Sequence, residues 1–201
     1  MLKALYPTIM WSVTTEGPHM YLTFDDGPHP IHTPRILEIL STLNARATFF
    51  VIGDRAHLHP ELIRDMMMQG HTIGIHAQTH SSMLFKSKSD LNTEIDKSLE
   101  TLNAITSQRP VYFRPPYGHF TPHLIKLTAQ KGLKLVMWTH MTYDFSPRVS
   151  DQRIYRNISK NLHKGTIVVF HDGHTTSNRT VSILPKVIEI IYNNNMKCTN
   201  L

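Results

Sequence analysis

The chain has 201 residues, 40% hydrophobic and 18% charged, a composition that fits one globular domain able to bury a real core. Its formal charge of +6 comes from scattered Lys and Arg with no run of five or six, which excludes the basic stripe of a nucleic-acid binder. A single cysteine, Cys198, excludes an intrachain disulfide and a cysteine-based zinc site.

The opening stretch, MLKALYPTIMWSV, puts a Pro and a Trp where a signal peptide needs an unbroken apolar run. Nowhere do about 18 apolar residues follow one another. The expectation is a single domain over 1–201 without a membrane span or visible export signal, cytoplasmic by default and of the cell envelope if processed. Strand candidates then recur at 20–24, 47–52, 71–75, 111–113, 134–138, 166–170 and 196–201, each rich in β-branched or aromatic residues. Between them lie segments with helical spacing, such as Ile36, Ile39, Leu40 and Leu43. Gly70, Gly132 and Gly165 each stand just before a strand and read as left-handed helix stops. This β-α alternation predicts an α/β fold with a parallel sheet under helices. A chain of this length suits a distorted (β/α) barrel with fewer than eight strands, about seven, better than a full barrel.

The chemistry-bearing residues all fall at strand ends, where parallel βα folds gather function. Asp25 and Asp26 follow the first strand, His76 and His80 the third, and Arg114–Gly118 the fourth, while Asp144 lies beyond the fifth and His171 ends the sixth. Adjacent carboxylates raise each other's pKa unless a cation or a donor offsets the repulsion. A turn of the Asp-Gly-Pro type accounts for Asp26 and Gly27 but leaves Asp25 unexplained. His76 and His80 would sit roughly 13 Å apart in a continuing strand and become neighbours on a tight turn, with Gly74 upstream helping the chain change course. With Asp26 as third ligand, two imidazoles and a carboxylate leave open positions for water and substrate, as in hydrolytic zinc sites.

Taken together, TFDDGP (23–28), HAQTH (76–80), RPPYG (114–118), MTYDF (141–145) and VFH (169–171) resemble the five ordered motifs of the NodB-homology polysaccharide deacetylases, carbohydrate esterase family 4. The family pattern runs TFDDGP, H-[ST]-x-x-H, RxPYG, a D-x-x-D-W-like stretch and L-x-H. The resemblance spans nearly the whole chain and implies a distorted NodB-type barrel that binds one divalent metal and removes acetyl groups from sugars. Carried over by position, Asp25 resembles the general base, and Asp26, His76 and His80 the metal ligands. Arg114 resembles the guanidinium that orients the base, and Tyr117 the residue whose backbone N–H stabilises an oxyanion. His171 resembles the general acid, with Asp144, beside Arg114, as its tuning partner and Asp172 as a rival nearer in sequence. Tyr117, Phe145 and Val169 are expected to line the substrate pocket. Ala77, Met141, Phe145 and Val169 depart from the family pattern, and no catalytic or metal position is lost.

The resemblance implies metal-dependent hydrolysis of N-acetyl groups on amino sugars of a chitin-like or peptidoglycan-like glycan. Zinc is the first choice of metal, and cobalt, manganese, nickel and iron also suit this ligand set. The alternatives are O-deacetylation of a polysaccharide such as acetylxylan, and a non-catalytic carbohydrate-binding relative. Retention of both Asp25 and His171 speaks against mere binding. The expected partner is an acetylated carbohydrate met by a monomer, in a groove left open by the short loops HFTPHL and HTTSNR.

Overall fold

Strand β1 (His19–Asp25) lies at the centre of the sheet, and its end carries the first of the two aspartates. In the computed structural model, which describes residues 2–174 and 176–201, its side chains alternate. Met20, Leu22 and Phe24 are fully buried in the large apolar core under the helices, whereas Tyr21, Thr23 and Asp25 share the inner face. Phe24 lies between Phe49 and Phe170, with ring centroids 5.0 and 5.5 Å away.

The chain begins with the short α1 (Leu2–Leu5), and from β1 it alternates. Helix α2 (His32–Thr42) leads to β2 (Thr48–Val51), and α3 (Gly53–Leu58) with α4 (Pro60–Met68) leads to β3 (Thr72–Ile75). The long α5 (Lys88–Thr106) precedes β4 (Tyr112–Phe113), and a 3-10 turn at Pro116–Gly118 and α6 (Pro122–Gln130) precede β5 (Lys134–Leu135). Then come β6 (His140–Met141), α7 (Asp151–Lys160), β7 (Ile167–His171), α8 (Ser177–Asn193) and β8 (Lys197–Thr199). The sheet path is β5-β4-β3-β2-β1-β7-β6, with every pairing parallel. Strand β8 pairs with the start of β1, below the stretch that pairs with β2. This is a distorted (β/α) barrel. Between β5 and β7 the N-terminal segment fills in, as Met10 bridges Val136 and Ser12 bridges Thr166.

Three expectations need correction. The strand expected at 134–138 stops at Leu135, and β6 forms two residues beyond that window because it can pair with β7, a contact that no local period announces. Gly74 does not turn the chain: it stays in β3, and a Cβ there would come within 2.7 Å of the Phe50 ring. Gly70 and Gly132 do end helices at φ +77° and +71°, but Gly165 lies five residues beyond α7, where a Cβ would collide with the Val13 carbonyl.

Helix α5 starts from a capping box, Ser87 with Asp90, worth about 1 kcal/mol. It buries a stripe formed by Leu91, Glu94, Ile95, Ser98, Leu99 and Leu102. A glutamate in that stripe needs partners.

Candidate active site

Inside the barrel, below the strand ends, lies Arg114, fully buried with its guanidinium 4.1 Å from the Phe50 ring centre. It donates to Asp25 Oδ1 (2.7 Å), Thr23 Oγ1 (2.7 Å), Met137 O (3.0 Å) and Val136 O (3.4 Å). Burial pulls the Arg114 pKa down, and Asp25 opposes that shift. The guanidinium stays charged, because so many acceptors offset the desolvation. Thr23 accepts from Arg114 while its own hydroxyl donates to Val168 O at 2.8 Å, so the first motif residue ties β1 to β7.

Above this layer, Asp26 turns out of β1 at φ +75° and meets two histidines. His80 Nε2 lies 2.9 Å and His76 Nε2 3.4 Å from Asp26 Oδ1. Burial pushes the Asp26 carboxyl up, and its hydrogen bonds and charge contacts with His76 and His80 outweigh that and hold it well below the usual range. His76 Nδ1 sits 2.6 Å from the Arg114 carbonyl, which can only accept, so Nδ1 carries a proton. The other nitrogen of a neutral ring then aims a lone pair at a carboxylate oxygen, an arrangement that calls for a cation. Asp26, His76 and His80 place one ligand atom each within 4.8 Å of one another, and this N₂O donor set fits a divalent metal.

On the other side, His171 ends β7 in direct register with Asp25, which places both side chains on the inner face. Its Nδ1 is 2.8 Å from Asp144 Oδ1, and its N–H donates to Asp144 Oδ2 at 2.8 Å. Asp144 is fully buried and also accepts from Thr142 (3.0 Å) and Thr180 (2.6 Å). Desolvation would lower the His171 pKa, but the Asp144 hydrogen bond and charge, helped by Asp25 and Asp26, push it up to about 9.

The rival partner is placed elsewhere. Asp172 is fully buried, accepts from the Thr33 hydroxyl (2.5 Å) and packs against Gly27, and burial pushes its pKa up to about 7. Asp172 stands one residue past β7 with its N–H still on Asp25 O (3.0 Å), so the pleat continues through it and its side chain points away from that of His171. Nor does Asp144 stand beside Arg114 as an ion pair: among the described residues, Arg114 pairs with Asp25 and Asp144 with His171.

A cavity of about 300 Å³ opens over these groups. Tyr117 and Phe145 line it as expected, and so does Met141. Tyr117 adopts φ +60°, and its ring centre lies 4.6 Å from that of His80. Val169 does not line it. That residue shares the face of His171 but sits two residues deeper in β7, where it is fully buried.

Four further residues shape the site without belonging to any motif role assigned above. Trp138 and His174 line the cavity. Arg55 donates to the carbonyls of Asp26 and Gly173, both at 2.6 Å, tying the Asp26 turn to the loop after His171. Glu94 accepts the backbone N–H groups of Gln78 and Thr79, between the two histidines.

Similarity to known proteins points the same way. The sequence model of the polysaccharide deacetylase family matches residues 12–136. A peptidoglycan-N-acetylglucosamine deacetylase of Bacillus cereus is 32% identical over 189 residues, which cover 92% of this chain and 88% of the relative. A chitooligosaccharide deacetylase of Sinorhizobium fredii is 34% identical over 160 residues, 79% of this chain and 74% of the relative. The crystal structure of a peptidoglycan N-acetylglucosamine deacetylase in complex with 4-naphthalen-1-yl-N-oxidanyl-benzamide matches with a TM-score of 0.93 at 27% identity, covering 100% of this chain and 94% of the other.

Proposed function

The chain belongs to the polysaccharide deacetylase family, and from that premise we propose that it hydrolyses the N-acetyl groups of N-acetylglucosamine units in a peptidoglycan-like or chitin-like glycan. One observation carries this reading. Asp25 and His171 are register partners on adjacent strands, each anchored from below by a group of opposite charge, and both line the cavity beside Asp26, His76 and His80.

A divalent ion held by Asp26, His76 and His80 would supply Lewis acidity, lowering the pKa of a water and polarising the acetyl carbonyl. Asp25 takes the proton of the attacking water, and Arg114 keeps that carboxylate in place through Oδ1. Tyr117 lines the cavity, and by the family resemblance its backbone N–H is the donor to the developing oxyanion. His171 keeps Nδ1–H on Asp144 and gives its Nε2 proton to the leaving nitrogen as the C–N bond breaks, releasing acetate and a free amine. An amine leaves poorly without that proton, whereas a sugar hydroxyl leaves more readily. The His171–Asp144 pair, with Nδ1 at 2.8 Å from the carboxylate, is suited to deliver that proton, and the N-acetyl reading itself rests on the relatives' substrates.

The test is acetate release from chitooligosaccharides, peptidoglycan fragments and acetylxylan, before and after chelation and with zinc, cobalt, manganese, nickel or iron added back. Acetate from the first two, lost on chelation and restored by a divalent ion, is the expected result. Release from acetylxylan alone would overturn the N-acetyl reading, and release from none would leave a binding protein.

A further inference from the structure

The two histidines of the candidate metal site are held in different ways. His76 is buried, with its N–H on Val51 O (2.8 Å) and its Nδ1 on Arg114 O (2.6 Å). The His80 side chain is 30% exposed, and among the described residues its ring nitrogens have no polar partner besides Asp26. Beyond the Tyr117 ring at 4.6 Å and the Tyr117 hydroxyl on the His80 carbonyl (3.3 Å), its position depends on the backbone that leads to it. That backbone turns at Ala77, φ +65°, a residue with no side-chain oxygen to brace the turn.

The brace comes from helix α5. Glu94 Oε2 accepts the N–H groups of Gln78 (3.1 Å) and Thr79 (2.8 Å), while Oε1 accepts the Thr79 hydroxyl (2.7 Å) and Lys86 Nζ (2.8 Å). Two successive peptide N–H groups on one oxygen fix the peptide planes of 77–79, and with them the direction in which residue 80 leaves the turn. Glu94 is only 8% exposed and stands in an apolar stripe, a costly place for a carboxylate unless both oxygens are paired. Here both are.

We propose that Glu94 is a positioning residue of the metal site, fixing His80 against Asp26 through the 77–79 backbone. This rests on the three-ligand reading given above. A glutamine at 94 keeps the shape but offers one acceptor oxygen, and its NH₂ faces groups that are themselves donors.

Zinc affinity of the chelator-stripped protein, read by competition with a chromophoric chelator, tests this together with the zinc-free Tm. Glu94→Gln should weaken zinc binding about 10- to 100-fold, the usual size of an outer-shell loss. On a His80→Ala background the same substitution should change affinity by less than about twofold, because the group it positions is gone. Parent-like affinity in Glu94→Gln, or an equal loss on both backgrounds, overturns the proposal. A parent that binds no zinc, or a His80→Ala protein that binds it as tightly as the parent, overturns the metal reading itself and this inference with it. Should Glu94→Gln not fold, Thr79→Val decides: it removes the hydroxyl that donates to Glu94 Oε1 and also contacts Ser81 Oγ (both 2.7 Å), a loss of about three- to tenfold is expected, and no loss overturns the proposal.

Discussion

Two ion pairs stand side by side at the ends of β1 and β7, built in opposite senses. In Arg114–Asp25, at 2.7 Å, the fully buried partner is the cation and the carboxylate lines the cavity. In His171–Asp144, at 2.8 Å, the fully buried partner is the carboxylate and the imidazole lines the cavity. Each proposed reacting group is thus held from below by a charge that water does not reach. What separates the pairs is pH. A guanidinium keeps its charge at any working pH, whereas His171 gives up its proton near pH 9. The site has a fixed half and a titratable half.

The largest effect should come from the reacting member of the fixed half. Asp25→Asn keeps an oxygen for Arg114 but removes the base, and should cost about 10²- to 10⁴-fold in acetate release while zinc content stays at the parent level. Loss of zinc along with activity would mean that Asp25, not Asp26, is the ligand. Arg114→Met attacks the same pair from below. It strands a buried carboxylate, and breaking a buried pair from one side costs about 3–5 kcal/mol, which denaturant unfolding would read. Asp25→Asn should cost clearly less stability, since its amide oxygen can still accept from the guanidinium. If both variants lost the same stability, the claim that the buried member is the holder would fail.

This division also sets what the sequence can reveal. The groups that face the cavity stand in short ordered motifs at strand ends, so the gathering of Asp25, Asp26, His76, His80 and His171 is legible from the β-α alternation, and their roles follow from the family resemblance. Their holders are mostly remote: Thr23 reaches Val168 across 145 positions and Thr180 reaches Asp144 across 36, and no local period encodes such contacts. Nearness in the chain even misleads, since Asp172 adjoins His171 yet bonds Thr33 on the other side of the strand. Val169 misleads for the opposite reason, because it faces the right way but lies too deep. The short β6 leaves no trace, as two residues carry no period. Glu94 is the holder with a local signature, a carboxylate set among Leu91, Ile95, Ser98 and Leu102 on one helix face.

The smallest effect, and the one that isolates the titratable half, is a shift rather than a loss. His171 must be protonated to serve as the acid, so activity should fall as pH rises through its pKa of about 9. Desolvation alone would lower that pKa, and the Asp144 hydrogen bond and charge are the main forces raising it. Asp144→Asn should therefore move the alkaline limb of the kcat/KM profile toward lower pH, by roughly one to two units, with the acid limb unmoved. Stability follows the same sign. A raised folded-state pKa contributes stability that is fully present below the ordinary histidine value of about 6.5 and is lost as pH climbs through about 9, so the variant's stability should vary less across that window. Asp172→Asn serves as the control, since its carboxyl answers to Thr33 and Gly27, and its alkaline limb should match the parent. If the limb instead follows Asp172 and ignores Asp144, the second ion pair is not the device that holds the acid, and the contrast between the two halves of the site collapses.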